Sequence, residues 1–341
     1  MQVWASKPRD MPPKEVGDYA RRVEALGYDG LTVSEGVHDG SVNAWAALAT
    51  TSELRVAVSV FVAFSRSPMS LAYACWDLQD FSGGRFVIGL GTQVKANIEQ
   101  RFSMPWTPPV PRMREYVQAL RAIFETWAAQ DGTRLRFEGE HYRFTRMQPY
   151  FTPEPIEHPE IPIYLGAVGP AMTRLTGEVA DGFFTHSCNS DPRAIRELAI
   201  PAVEAGAQRG GRTLGDVDIM VSPYMNTGAT AEEIAESREA NRRQMGIMYS
   251  TPNYWGPLRL RGIEEVGARL RELTRENRWG ELADLLSDDL VDEIAISGDY
   301  IDSAHLLKER YGDLPVSLRF PLPDDPADDG QIAKALEILR D

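Results

Sequence analysis

Val56-Ala57-Val58-Ser59-Val60-Phe61-Val62-Ala63 contains one polar residue, Ser59. A short run this apolar and this rich in valine reads as a strand buried on both faces, the pattern of a parallel sheet covered by helices. The segments on either side repeat the theme. Upstream lie Gln2-Val3-Trp4-Ala5 and Leu31-Thr32-Val33-Ser34; downstream lie Phe86-Val87-Ile88-Gly89-Leu90-Gly91, Ile163-Tyr164-Leu165, Phe183-Phe184-Thr185, Ile219-Met220-Val221 and Val316-Ser317-Leu318-Arg319-Phe320. Amphipathic stretches separate them. One opens at Pro12-Pro13, keeps Val16, Ala20, Val23 and Leu26 on one face, and stops at Gly27. Others lie at about 45–49, 67–81, 171–180 and 195–209, and a short one follows the last strand.

Eight apolar strands alternating with helices specify an α/β fold with parallel strands. An open doubly wound sheet and a closed barrel both fit that rhythm. The count of eight, spread over the whole chain, favours a (β/α)8 TIM barrel. The rhythm is interrupted twice, so insertions are expected after strand 4, about 102–162, and after strand 7, about 228–262. The first contains a long helix, with Met113, Tyr116, Val117, Leu120, Phe124 and Trp127 at helical spacing. A hairpin turning near Gly139 and a Pro-rich passage follow. No linker or low-complexity stretch divides the 341 residues, which read as a single domain, 1–341.

The charge balance is 36 basic against 50 acidic residues, net −14, with no Lys/Arg cluster. Such a chain repels a phosphate backbone, so nucleic acid is not an expected partner. No run reaches the ~18 apolar residues of a membrane helix. The start of the chain does not read as a signal peptide. The two cysteines, Cys75 and Cys188, have no CxxC spacing, which suits a reducing cytoplasm. No HExxH or similar spacing points to a metal site.

In a barrel the functional groups gather at the C-terminal ends of the strands. Strand 2 is followed by Glu35, His38 and Asp39, the densest titratable group among those ends. A histidine beside carboxylates handles protons near neutral pH; a loop of polar residues satisfying its own backbone is the alternative. Gly166-Ala167-Val168-Gly169-Pro170 is a glycine-containing turn opening a helix, where free N–H groups would suit a phosphate. Gly89-Leu90-Gly91 is not a dinucleotide fingerprint, because the spacing fails at Val94. Glycine there is expected to let a flat ligand approach. His186 and Cys188 lie beyond strand 6 without a third partner for nucleophilic catalysis.

Gly83-Gly84-Arg85 followed by a strand ending in Gly89-Leu90-Gly91 and then Thr92-Gln93-Val94-Lys95 resembles the bacterial luciferase-like monooxygenase superfamily. Ile98-Glu99-Gln100-Arg101-Phe102 and Arg114-Glu115-Tyr116 are similar to its branch that uses the deazaflavin coenzyme F420. Glu24-Ala25-Leu26-Gly27-Tyr28-Asp29-Gly30 and Ile163-Tyr164-Leu165-Gly166-Ala167 are also similar, and the likeness extends over essentially the full chain. The resemblance implies an oxidoreductase that moves hydride between F420 and a small organic substrate. An FMN-dependent monooxygenase, or a flavin- or deazaflavin-binding barrel without catalysis, is the alternative. It also implies a ring-binding bulge in strand 3 at Ser59, Val60 and Phe61, with Ala63 nearby, often with a non-prolyl cis peptide. Thr92 and Gln93 fall at a coenzyme-contacting strand end, and Lys95 and Arg101 could meet an anionic tail. Gly166, Ala167, Val168 and Gly169 match the phosphate loop, with Val168 where relatives often carry glycine. Some deazaflavin dehydrogenases place Ser-Asp-His after strand 2 and a glutamate after strand 4. Here Ser34-Glu35-Gly36 precede His38, and Gln93-Val94 stand in place of the glutamate. Proton handling therefore falls to Glu35, His38 or His186. Relatives are often dimers, so a homodimer is compatible with the resemblance.

Overall fold

The computed structural model describes residues 1–129 and 134–341. Eight strands run parallel: β1 (Val3–Ser6), β2 (Gly30–Val33), β3 (Arg55–Val58), β4 (Phe86–Gly91), β5 (Ile163–Gly166), β6 (Gly182–Phe184), β7 (Asp218–Val221) and β8 (Ser317–Arg319). Each pairs with the next, and β8 returns to β1 through Val3↔Leu318 and Trp4↔Arg319. The sheet is therefore a closed barrel of the TIM type.

Alternation along the strands sorts the side chains into two layers. Val56 and Val58 face outward into a large apolar layer under the helices, which also contains Leu31, Val33, Phe86, Ile88, Ile163, Ile219 and Leu318. Trp4, Ala57, Val87, Tyr164, Phe184 and Met220 face the lumen and fill it. Near its N-terminal end Asp218 accepts hydrogen bonds from Tyr164 Oη (2.6 Å) and Ser317 Oγ (3.0 Å).

The run expected as one strand over 56–63 is broken. β3 ends at Val58, a two-residue strand resumes at Phe61–Val62, and a 3-10 turn follows at Ala63–Ser65. The register shows why. Ala57 pairs with Val87 and Phe61 with Leu90, so four steps on β3 oppose three on β4. One extra residue is accommodated in a β-bulge. The Ser59–Val60 peptide within it is cis.

The glycines of β4 make room for this bulge, a steric reason beside the one expected for Gly89-Leu90-Gly91. A Cβ on Gly89 would lie 2.1 Å from Val58 O, and one on Gly91 would lie 2.4 Å from Val60 Cγ2. Across the barrel mouth, a Cβ on Gly166 would approach Val60 Cγ1 to 3.1 Å. Missing side chains on two strands make room for Val60.

The segment after β4 contains the long helix Pro109–Ala129 and the hairpin Phe137–Glu138 with Arg143–Phe144. Residues 130–133 of this expected insertion lie outside the described residues. Glu115 on the helix accepts the backbone N–H groups of Glu140, His141 and Tyr142, pinning the hairpin turn. The segment after β7 leaves the barrel through Met225–Thr227, which pairs with Ile296–Gly298. Between them lie Ala231–Tyr249, Gly256–Leu260, Glu264–Arg275 and Asp288–Ile294, so the helical excursion continues past 262. It has its own apolar centre, including Tyr224, Met245, Tyr249, Leu258, Leu270 and Val291.

The bulge makes a stability prediction. Gly89→Ala forces a methyl group against a strand carbonyl that has nowhere to move, and is expected to cost about 1–3 kcal/mol. Gly36→Ala, in the loop after β2 with nothing within 4 Å, is expected to stay within about 0.5 kcal/mol of the parent. Denaturant melts of the two variants check the contrast.

Candidate active site at the strand C-terminal ends

Glu35 follows β2 and turns back onto the bulge. Its Oε1 accepts the Val62 N–H at 3.0 Å and its Oε2 meets Arg66 Nη2 at 2.6 Å. The carboxylate is almost wholly covered, and Arg66 also stacks over the Phe61 ring at 5.4 Å. Glu35 thus ties the β2 loop to both ends of the Phe61–Val62 segment. Asp39 contributes differently. Its Oδ2 lies 3.8 Å from Arg66, while its Oδ1 accepts from Ser41 N (2.8 Å) and Val42 N (3.4 Å). It caps the helix Gly40–Leu48, which starts earlier than the expected 45. His38 sits between these two anchored carboxylates. It is half-buried, and its imidazole has no hydrogen-bond partner among the described residues.

His186 follows β6. Its Nδ1 accepts the Cys188 N–H at 3.3 Å, and Tyr254 from the second excursion packs 4.9 Å from its ring. Burial, and then the charge of Arg319, hold its pKa below the ordinary 6.5. The ring is therefore neutral at pH 7, with the proton on Nε2, because Nδ1 is an acceptor. It can donate one hydrogen bond but does not arrive as a charged acid. Cys188 lies under it, bonded to Tyr224 Oη at 3.1 Å, and burial pushes its thiol up to about 12. It is no nucleophile at neutral pH.

Arg319 was missed by the sequence reading, although an arginine at the end of an apolar strand was a usable signal. It alternates with Ser317 onto the lumen face of β8. Its guanidinium donates to Ser59 Oγ at 2.6 Å and lies 5.4 Å over the Phe184 ring. Arg319 thus joins the far side of the barrel to the β3 bulge.

The remaining candidates divide by what already occupies them. Val60 packs on the lumen layer, whereas Phe61 and Ala63 bury their side chains in the outer layer and can offer only backbone at the strand ends. Thr92 Oγ1 donates to Gln93 O at 3.0 Å. Gln93 adopts φ +57°, and its Oε1 accepts from Val94 N and Asn97 Nδ2. Lys95 is exposed and paired with Glu99 at 3.8 Å. Arg101 Nη2 donates to Gly36 O at 2.9 Å, linking the β4 and β2 loops. After β5, the Ala167 N–H reaches Phe184 O at 3.4 Å. The helix Pro170–Val179 starts at Gly169 with no side-chain cap, so its first-turn donors are open to an anion.

Among the described residues, Glu115, Glu140 and His141 bring metal-ligand atoms within 4.8 Å of one another. The Glu115 oxygens are already used by the hairpin backbone, so this is a structural contact away from the strand ends. Two depressions, about 390 Å³ beside Arg121 and Asp181 and about 640 Å³ beside Trp127 and Met147, also lie off the barrel mouth.

A closed parallel barrel brings a strand-3 bulge, a glycine-lined mouth and histidines after β2 and β6 to one end. Comparison with known proteins gives the family: residues 2–317 match the Luciferase-like monooxygenase family, and the chain belongs to it. It is 40% identical over 293 residues to an uncharacterized protein of Mycobacterium tuberculosis strain H37Rv, covering 86% of this chain and 85% of that one. It is 30% identical over 267 residues to an F420-dependent glucose-6-phosphate dehydrogenase of Nakamurella multipartita, covering 75% and 72%. The fold matches the coenzyme F420-dependent tetrahydromethanopterin reductase of Methanopyrus kandleri with a TM-score of 0.76 at 19% identity, over 99% and 96% of the chains. It also matches an F420-dependent secondary alcohol dehydrogenase (0.72, 18%, over 100% and 99%). Among the described residues, no helix is long and apolar enough to cross a membrane.

Two predictions come from this geometry. Glu35→Ala leaves the Val62 N–H without its acceptor and Arg66 with only Asp39 at 3.8 Å, and should lower stability by about 1–3 kcal/mol in urea unfolding. The His186 imidazole should titrate below 6.5 by NMR, and its midpoint should rise in Arg319→Met, because one of the two forces disfavouring the charged ring is removed. An unchanged midpoint would take the Arg319 charge out of the site.

Proposed function

We propose that the protein is an F420-dependent oxidoreductase that moves hydride between the deazaflavin and a small organic substrate at the C-terminal end of the barrel. The observation that carries this reading is the glycine-backed bulge, where Gly91 and Gly166 leave Val60 as a shelf at the strand ends. The choice of F420 over FMN leans on relatives whose names specify F420, such as the Nakamurella dehydrogenase. The chain is read as one barrel domain, 1–341, carrying its two excursions.

The residues present fit such a coenzyme. Ser59, Val60 and the backbone of Phe61 and Ala63 would hold its ring, with Thr92 and Gln93 at the neighbouring strand end. The open N–H groups of Val168, Gly169 and the first turn of the helix Pro170–Val179 would take its phosphate, helped by the helix dipole. Gly166 gives Val60 room, and Ala167 N–H is committed to Phe184 O. Lys95 is exposed enough to leave Glu99 for an anionic tail. Bound there, a deazaflavin supplies a carbon that gives or accepts hydride and reacts poorly with oxygen.

The chain's own residues supply the rest. His38, free of partners, holds or delivers the proton that balances hydride transfer. Glu35 is a positioning residue, since both its oxygens are occupied in fixing the bulge. His186 offers a hydrogen bond from Nε2. Tyr254 and Trp106, the latter edge-on to Phe64 at 6.1 Å, help exclude water.

Titration of the purified protein with F420 and with FMN, followed by fluorescence, tests the coenzyme. Tight binding of F420 and weak binding of FMN is the expected result; the reverse makes it an FMN enzyme. His38→Ala should keep F420 affinity within about twofold and lower turnover at least 100-fold. Unchanged turnover would move the proton to another group, and a wild type that binds the coenzyme without turnover would be a coenzyme carrier.

A further inference from the structure

Arg319 differs from the other covered arginines. Arg22, Arg66, Arg114 and Arg261 each meet a carboxylate within 3.0 Å. Arg85 is surrounded by the carbonyls of Leu48, Thr51, Leu54 and Ser82, and Arg112 by Pro105 O and Tyr142 Oη. Arg319 has one neutral partner, Ser59 Oγ, and the face of Phe184. Its Nε is buried with no partner, and no carboxylate lies within ion-pair distance of it among the described residues. Burial alone pushes its pKa down to about 10, so it keeps its charge at neutral pH. A covered cation without an anion is costly unless something completes it.

Its place says where the completing group must come from. The lumen beneath is filled by Trp4, Tyr164, Phe184 and Met220, so the partial exposure of Arg319 opens toward the mouth. His186, whose pKa its charge helps lower, has no negative form with which to neutralise it. A planar fork of N–H donors set over an aromatic ring matches two coplanar oxygens, or an oxygen carrying delocalised negative charge.

We propose that Arg319, held by Ser59 and Phe184, is the binding residue for a planar anionic oxygen group in the barrel mouth, a carboxylate or an enolate-type oxygen. This deepens the proposed function, on which it rests for placing a ligand at the strand ends. Two sources share that chemistry: the carboxylate of an organic-acid substrate, and the ionised ring edge of the coenzyme.

Benzoate is the probe, with neutral benzamide as its control. In the unliganded wild type, benzoate should raise the melting temperature saturably and shift the Arg319 Nε–H resonance, and benzamide should do neither. Arg319→Met should lose both responses. F420 binding then separates the sources. If the substrate supplies the anion, Arg319→Met keeps F420 affinity within twofold, and benzoate still binds the F420-loaded wild type. If the coenzyme supplies it, Arg319→Met weakens F420 at least tenfold, and F420 abolishes the benzoate response. Should wild-type protein bind neither F420 nor FMN, the proposed function fails while the benzoate arm still decides the Arg319 site. Should Arg319→Met not fold, the wild-type Nε–H shift decides it. No benzoate response together with unaltered F420 affinity in the variant overturns the proposal.

Discussion

The structure turns on one steric constraint. A barrel strand carries an extra residue, and the neighbouring strands must lack side chains where that residue projects. Val60 is pushed toward the lumen by the bulge, and Gly91 and Gly166 are the only residue type that leaves it space. The Glu35–Arg66 pair then holds the segment beyond the bulge by gripping the Val62 N–H. Steric relief from β4 and β5 and electrostatic tethering from β2 act on the same few residues. The shelf at the strand ends is a property of four strands together, so no single loop could supply it.

That dependence explains how far the sequence could be read. The strands were legible because a parallel strand buried on both faces leaves an unbroken apolar signature, as at Phe86-Val87-Ile88. The break inside 56–63 was not, because one extra residue changes register without changing hydrophobicity. The resemblance to known relatives pointed to Ser59, Val60 and Phe61, yet periodicity alone gave no hint of the bulge. Glycine in β4 was visible, but its reason was not: Val58 O and Val60 are distant from it in sequence. Glu35, His38 and Asp39 were legible as a group. Their division of labour was hidden, because Arg66 and the Ser41 N–H decide it. Arg319 went unnoticed because its lack of a partner is a three-dimensional fact.

The electrostatics of the mouth follow from the same arrangement. Carboxylates after β2 are spent on Arg66 and on a helix cap, so neither reaches Arg319 across the barrel. Burial, reinforced by that uncompensated cation, holds the His186 pKa below its ordinary value. The two histidines therefore cannot be equivalent. His38 stands beside the acidic β2 loop, without a hydrogen-bond partner among the described residues. His186, buried beside a cation and bonded at Nδ1, is fixed in one tautomer. A chain with a net charge of −14 thus presents a positive, partly desolvated floor at the C-terminal ends of its barrel strands. Electron-rich ligands gain there from preorganised donors that need no rearrangement on binding. In the proposed hydride transfer that asymmetry would divide the work between a fixed charge that holds the acceptor and a separate group that settles the proton.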